Sequence, residues 1–463
     1  MGHATLNVDN PFTLKTACSV PLADDAEVGA ALDRAKTGAR VARETALAER
    51  VRLCERATEA MLGRAPEVAR EITAMMGKPL RQAKNEVDGM AVRARYMASI
   101  AEESLADVVP RQEPGFDRRI VKEPLGVVLD LPAWNYPLLT AVNVVIPAVL
   151  AGNAVIVKHS PRSPLSGEHF ARAFADAGAP TNWVQALHCD HPTTERMLAD
   201  PRVDHVVYTG SIYGGHRIAA AASSRFVRVG LELGGNDPAY VAPDCDFDKT
   251  VENIVDGAIY NAGQSCCAVE RVYVHRSLYS RFLAASEALV RAYVMGDPIE
   301  DRTTLGPIAQ PNHPAELEGL VTDAVKRGAR LIAGGKRCDV GGSGRFFQST
   351  LLGDVPDGAH VLERESFGPL LPVVPVDSDD EALSRMNASS LGLTASIWSS
   401  DKERVLRLAR SLEFGTVFMN RCDHVDPSLP WSGWKDSGRG LSLSRLGFDE
   451  LTRTKALHLK LAP

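Results

Sequence analysis

Val203-Asp204-His205-Val206-Val207-Tyr208-Thr209-Gly210-Ser211-Ile212-Tyr213-Gly214-Gly215 reads as an apolar strand that breaks at a glycine-bearing turn and continues as a helix around His216 to Ala222. Glycines at such a turn let a ligand approach the backbone, and the helix N-terminus behind them favours an anion. The stretch departs from a full G-x-G-x-x-G, so by itself it defines a strand–turn–helix unit and a weak phosphate signal.

The same grammar runs outward on both sides. Upstream, Gly126 to Leu131 is a short apolar run, Tyr136 to Leu150 a helical stretch, Ala154 to Val157 a buried strand and Ser166 to Ala177 a helix. Downstream, Phe226 to Leu231 is a further strand. Strands alternating with helices argue for a parallel sheet covered on both faces, hence an α/β fold. A second α/β segment follows Gly235, with helices at 246–262, 277–294 and 313–327 and strands at 329–333 and 393–398. Residues 24–107 are rich in Ala, Glu, Arg and Leu and read as helices, with Met76-Gly77-Lys78-Pro79 as a stop and restart. Arg119-Ile120-Val121-Lys122-Glu123-Pro124 reads as a charged edge strand. Thr454 to Leu461 reads as a lone strand whose partner is another subunit or a distant arm.

At 463 residues the chain exceeds one ordinary domain, and 45% hydrophobic residues suffice for large cores. A net charge of −6, from 52 basic and 58 acidic side chains, does not suggest a nucleic-acid partner. Eight scattered cysteines suit reduced thiols in a cytoplasmic enzyme. The polar start, Met1 to Asn10, has no apolar signal core. The run from Leu131 to Val157 is uncharged, but Pro137, Asn143, Pro147, Gly152 and Asn153 punctuate it, so a buried helix and strand are expected and no membrane partner. His188-Cys189-Asp190-His191 and Cys422-Asp423-His424 gather ligand types without zinc spacings, and no metal site is expected.

Three stretches carry chemistry. Asn261-Ala262-Gly263-Gln264-Ser265-Cys266-Cys267 sets two thiols beyond a helical run and a glycine turn. A thiol attacks a carbonyl only as thiolate, and an ordinary free cysteine is more often a core residue. Gly230-Leu231-Glu232-Leu233-Gly234-Gly235 puts a carboxylate at the tip of a strand whose Val227, Val229 and Leu231 alternate. Such a carboxylate serves as general base if burial raises its pKa toward neutrality. In Pro132-Ala133-Trp134-Asn135-Tyr136-Pro137 the Asn135 amide either donates to an oxyanion or forms a turn before the proline.

Together these stretches resemble the aldehyde dehydrogenase superfamily, in its non-acylating NAD(P)-dependent branch. The family motifs L-E-L-G-G, G-Q-x-C, P-W-N-F-P, T-G-S-x-x-x-G and E-x-F-G-P correspond, across most of the chain, to the stretches around Glu232, Cys266, Asn135, Ser211 and Glu365. Pro430-Trp431-Ser432-Gly433-Trp434-Lys435-Asp436-Ser437-Gly438 is similar to P-F-G-G-x-K-x-S-G, with Trp431 and Ser432 as departures. Thirty-four residues separate Glu232 from Cys266 and twenty-three separate Asn135 from Lys158, as in the family.

The resemblance implies a Rossmann-like cofactor domain (1–111 and 124–233), an α/β catalytic domain (234–440) and a small β oligomerisation arm (112–123 and 441–463). It implies oxidation of an aldehyde to a carboxylate through a cysteine thiohemiacetal and thioester. Cys266 is then the nucleophile, Glu232 the base and Asn135 an oxyanion donor, with Cys267 supporting. NAD or NADP is held by Trp134, Lys158, Gly210, Ser211 and Gly215, together with Leu233, Glu365 and Phe367. The implied partners are a small-molecule aldehyde and further copies, as homodimer or homotetramer. A CoA-acylating relative and a non-catalytic member with a binding or assembly role are the alternatives, and the retained Glu232 argues against the first. Two departures stand out: Pro161, where the family often has glutamate, and Arg445, where a second glutamate is frequent. Pro161 removes a carboxylate and Arg162 adds a cation, so NADP is expected to be accepted alongside NAD. Arg421 and His424, in the implied substrate-entrance loop, suit an acidic semialdehyde or simply solvent.

Overall fold

Valine-rich strands build the first sheet, and its central ones, Val127–Leu131 and Ala154–Val157, are buried on both faces. In the computed structural model, which describes residues 4–461, the sheet order is Gly438–Arg439, Arg228–Glu232, His205–Thr209, Val127–Leu131, Ala154–Val157, Val184–Ala186. All neighbours run parallel except the Gly438–Arg439 edge. From Val127–Leu131 the chain builds outward to one side and then returns to build the other. At such a switch point the carboxyl ends of the strands part and leave a crevice. Asn135, Lys158, Gly210 and Leu233 all follow those carboxyl ends. Pro137–Leu150, buried along most of its length, packs on this sheet beside Leu80–Ser99. Among the described residues no helix is long and apolar enough to cross a membrane.

The second sheet runs Arg330–Ala333, Thr350–Gly353, Leu370–Val376, Val269–His275, Asp237–Val241, Thr394–Trp398, Thr416–Met419, and only its Arg330–Ala333 edge is antiparallel. Only residues 233–236 separate the end of Arg228–Glu232 from the start of Asp237–Val241. Cys266 just precedes Val269–His275, and Glu365 and Phe367 just precede Leu370–Val376. The amino ends of the second sheet therefore meet the carboxyl ends of the first, and the candidate residues converge there.

Four features differ from, or add to, the sequence reading. The helix expected over 246–262 ends at Ile259. Tyr260–Gly263 is a 3-10 turn in which Asn261 and Ala262 both have φ 55. Side-chain bonds of Asn261, Nδ2 to Asn135 O (3.2 Å) and Gln264 O (3.1 Å), hold that conformation. The polar start forms a hairpin, Thr5–Asp9 with Thr16–Pro21, while Met1 to His3 lie outside the described residues. The lone C-terminal strand, Thr452–Lys460, pairs antiparallel with Phe116–Pro124, so a distant arm of the same chain is its partner. Ahead of that ribbon, Leu443, Phe448 and Leu451 are buried in the first lobe's core, beside Val128 and Val145.

Candidate active site

A cavity of about 750 Å³ opens where the two sheets meet, lined by Asn135, Lys158, Glu232, Cys266, Glu365 and Phe367. Trp134, Gly210, Ser211 and Leu233 line it too. Gly215 lies behind: a Cβ there would come within 2.8 Å of the Leu233 side chain, so it lets the helix pack on Leu233 without touching the cavity.

Cys266 owes its place to a run of left-handed backbone at Asn261, Ala262 and Gly263. At Gly263 (φ +69) only glycine fits, since a Cβ would meet Gly368 O at 2.1 Å. Gln264 fixes the loop from both sides, donating to Asn261 O (3.0 Å) and accepting from Ala309 N (2.9 Å). Cys266 is half-buried and reaches the cavity, whereas Cys267 is buried. The Cys267 thiol donates to Asp423 Oδ1 (3.2 Å). Its hydrogen bond with Cys266, followed by burial, raises its pKa well above the ordinary thiol value. Cys267 is thus held protonated and turned away from the cavity, and Cys266 is the thiol a carbonyl can reach.

Asn135 is buried, and its Nδ2 donates to Gln264 O (3.2 Å). An amide nitrogen carries two N–H groups, so one remains for an oxyanion. Beneath it sits a support that the sequence did not reveal. Lys78 Nζ donates to Asn135 O (2.8 Å), pairs with Glu86 and lies 3.7 Å from the Tyr136 ring centroid. Glu86 Oε1 accepts from Leu138 N (2.8 Å). Burial pushes the Lys78 pKa down, with Glu86 opposing the shift.

Glu232 ends its strand at the cavity, with Thr209 Oγ1 at 3.4 Å from Oε2. Burial raises its pKa, while Ser442, the charge of Arg93 and Thr209 pull it back. That is the environment a carboxyl needs to act as a base near neutrality. Glu232 also lines a second, water-sized hollow with Asn143, Ser442 and Glu450. Arg93 rests on neutral acceptors of Pro137–Leu150, Leu139 O (3.1 Å) and Asn143 Oδ1 (3.0 Å); burial lowers its pKa, and the Glu232 charge is among those that oppose the shift. Burial, then the charge of Arg421, lowers the His424 pKa, and Arg93 acts in the same direction.

At the other side of Cys266, Trp134 and Phe367 meet edge to face at 5.6 Å between centroids. Gly235 N donates to Glu365 Oε1 (3.1 Å). Burial and then the charge of Glu270 raise the Glu365 pKa well above the usual carboxylate range. Glu270, also missed in the sequence, holds this loop by accepting from Ser366 N (2.8 Å) and Phe367 N (2.8 Å), and burial pushes its own pKa to about 7. Ser211 caps the helix Ile212–Ala222, accepting from Gly214 N (3.1 Å). Lys158 is buried at its strand's end, and burial lowers its pKa. Arg162 is not the free cation expected beside Pro161: its guanidinium is bound to Asp9. Neither ligand-rich cluster gathers on one point. Asp423 turns to Ser265 (2.8 Å) and Cys267, Cys422 to Asn253 O (3.3 Å), and Asp190 caps a helix.

Comparison with known proteins places this geometry. The Aldehyde dehydrogenase family model matches residues 2–457. A succinate-semialdehyde dehydrogenase [NADP(+)] of Deinococcus radiodurans is 36% identical over 448 residues, covering 96% of this chain and 93% of that protein. The crystal structure of an NAD-dependent aldehyde dehydrogenase from Sinorhizobium meliloti superposes with a TM-score of 0.96 at 29% identity, covering 99% of this chain and 92% of that one. The succinic semialdehyde dehydrogenase of Streptococcus pyogenes, solved with NADP+, gives 0.94 at 29% identity, covering 98% and 100%.

Proposed function

This chain belongs to the aldehyde dehydrogenase family, and from that premise we propose how its own residues carry the reaction. It is an oxidoreductase that converts an aldehyde to a carboxylate with NAD or NADP. The observation that carries the residue roles is that Cys266, Glu232 and Asn135 line one cavity.

Cys266 adds as thiolate to the aldehyde carbon. The free Asn135 N–H and the Cys266 backbone N–H receive the alkoxide of the thiohemiacetal. The bound dinucleotide supplies the hydride acceptor. Residues fit to hold it are in place: a buried lysine at Lys158, a capped helix start at Ser211 next to Gly210, the Leu233 wall, the Glu365 carboxyl, and the Trp134–Phe367 pair. Glu232 then takes a proton from the water that attacks the thioester, which releases the carboxylate and returns Cys266 as a thiol.

The substrate we infer is a short semialdehyde with a terminal carboxylate. Arg93, resting on neutral partners close to Cys266 and Glu232, and Arg421 offer cationic groups on that side, with His424 as a neutral neighbour. The succinate-semialdehyde relatives point the same way. The outer edges of the 116–124 and 452–460 ribbon, with exposed Val108, Val109, Leu459 and Leu461, support assembly into a homodimer or homotetramer. Eight unpaired cysteines support a cytoplasmic location.

The test is reduced-nicotinamide absorbance with purified protein, succinate semialdehyde or propanal, and either dinucleotide. The expected result is turnover preferring the acidic aldehyde, with Glu232→Gln giving one burst of reduced nicotinamide and then stalling. Turnover that requires CoA and yields an acyl-CoA would favour the acylating alternative. No reduction with any aldehyde would leave only a binding role.

A further inference from the structure

The N-terminal strand Thr5–Asp9 forms part of the cavity wall, through Leu6, Asn7, Val8 and Asp9. Asp9 is gripped by two arginines from different lobes. Arg162 Nη1 donates to its Oδ1 and Nη2 to its main-chain oxygen (2.5 Å). Arg345 Nη2 donates to Oδ2, while Arg345 Nη1 donates to Ala309 O (3.2 Å). Neighbouring contacts fix the strand: Ser343 Oγ donates to Pro11 O (2.7 Å), and Phe12 packs edge-on against Phe346. Arg162 stands four residues beyond Lys158, and both line the cavity. Its side chain is 9% exposed, both arms of its fork are taken by Asp9, and its buried Nε has no partner.

We propose that Asp9 is a specificity-determining residue for the cofactor: by occupying the Arg162 fork it withholds that guanidinium from a 2′-phosphate. The proposal rests on the reading that Lys158 marks the adenosine end of the cleft. A phosphate monoester carries nearly two negative charges near neutral pH and pairs best with a planar fork that offers two N–H groups at once. Arg162 has that fork, but it is spent within the chain. Lys158 alone remains for the ribose, and as a point charge it serves a hydroxyl or a phosphate without the geometric match. The N-terminal strand, far in sequence from Pro161, thereby supplies a carboxylate to this end of the site.

The test titrates ADP-ribose and 2′-phospho-ADP-ribose into the full-length protein by calorimetry, so turnover is not the readout. Asp9→Asn keeps the shape and removes the charge. It should tighten 2′-phospho-ADP-ribose relative to ADP-ribose on the order of tenfold, the size of one screened charge contact, and Asp9→Asn in an Arg162→Gln chain should lose that gain. Arg162→Gln alone should leave the ratio of the two ligands nearly unchanged, because the native fork is already occupied. An unchanged ratio in Asp9→Asn, a gain that persists without Arg162, or a marked loss in Arg162→Gln alone each overturns the proposal. Lys158→Ala, expected to weaken both ligands alike, checks the underlying reading separately; a chain that binds neither ligand overturns both.

Discussion

Replacing Gly263 by alanine probes how rigidly the two catalytic loops are joined. A Cβ built there sits 2.1 Å from Gly368 O, 2.3 Å from Gly368 C and 2.8 Å from Pro369 N, all of them backbone. Ordinary contact begins at 3.4 Å, so Gly368 must recede by about 1.3 Å, the difference from 2.1 Å. It has little freedom to do so: Leu370 N donates to Gly368 O (2.8 Å) and Thr350 N to Pro369 O (2.9 Å). The φ of +69 adds strain of its own, about 1–2 kcal/mol for an L-residue in the left-handed region. Overpacking adds about 1–3 kcal/mol, for a total loss of roughly 2–5 kcal/mol. Because Phe367 precedes Gly368 and Cys266 follows Gly263 by three residues, the shift moves Cys266 relative to Phe367 and Glu365. A displacement of about 1 Å costs roughly a hundredfold in rate. Steady-state kcat/KM by reduced-nicotinamide absorbance, with urea unfolding in parallel, reads both effects. A Gly263→Ala enzyme with kcat/KM within about fivefold of wild type and an unchanged unfolding midpoint would refute the rigid juxtaposition.

The remaining predictions concern the groups around that junction. Deacylation needs the Glu232 carboxylate, so activity should rise with pH through a pKa above the ordinary glutamate value of about 4.3, the direction burial sets; Arg93→Met removes a charge that lowers this pKa, so the acid limb should move to higher pH, and a shift to lower pH would contradict it. The same Arg93→Met enzyme should show a raised KM for succinate semialdehyde with little change for propanal; equal effects on both would remove Arg93 from substrate recognition. Lys78→Met leaves Glu86 buried and unpaired, which should cost about 3–5 kcal/mol in urea unfolding, whereas Lys78→Met with Glu86→Leu should recover much of it; no recovery would mean the pair itself stabilises the fold.

Local runs made much of the architecture legible. Ala154–Val157 is four buried apolar residues bounded by Asn153 and Lys158, and the strand has those limits. His313–Arg327 begins at a proline in its first turn and ends at left-handed Gly328, again at the limits read from the sequence. What escaped reading acts between distant segments. Lys78 looks like a turn residue until the fold sets it on the carbonyl of Asn135, 57 residues away. Asp9 lies in a polar stretch with no motif, and its partner Arg345 is 336 residues on. Asp423 reads only as one member of a ligand-rich loop and Glu270 as an ordinary charged letter, and their contacts with Cys267 and Ser366 follow only from packing. The helix read over 246–262 stops at Ile259 for the same reason, since Asn261 leaves helical backbone to satisfy bonds to another loop.

The route of the chain also constrains the order of its synthesis. The first sheet's antiparallel edge, Gly438–Arg439, and the strand Thr452–Lys460 that covers Phe116–Pro124 both lie near the C-terminus. Asn153 Nδ2 likewise waits for Leu451 O (2.9 Å). More than 300 residues separate Leu131, at the end of the central strand, from Gly438. At about 5–20 residues per second, the ribosome needs roughly 15–60 s to deliver them. During that time the first lobe has its helices and central strands but neither its edge nor its cover, and the apolar side chains Val121 and Ile120 stand next to an unpaired backbone. The edge and the cover therefore close late in folding, and a chain that lacks these segments exposes a strand edge open to chaperones or to a neighbouring copy.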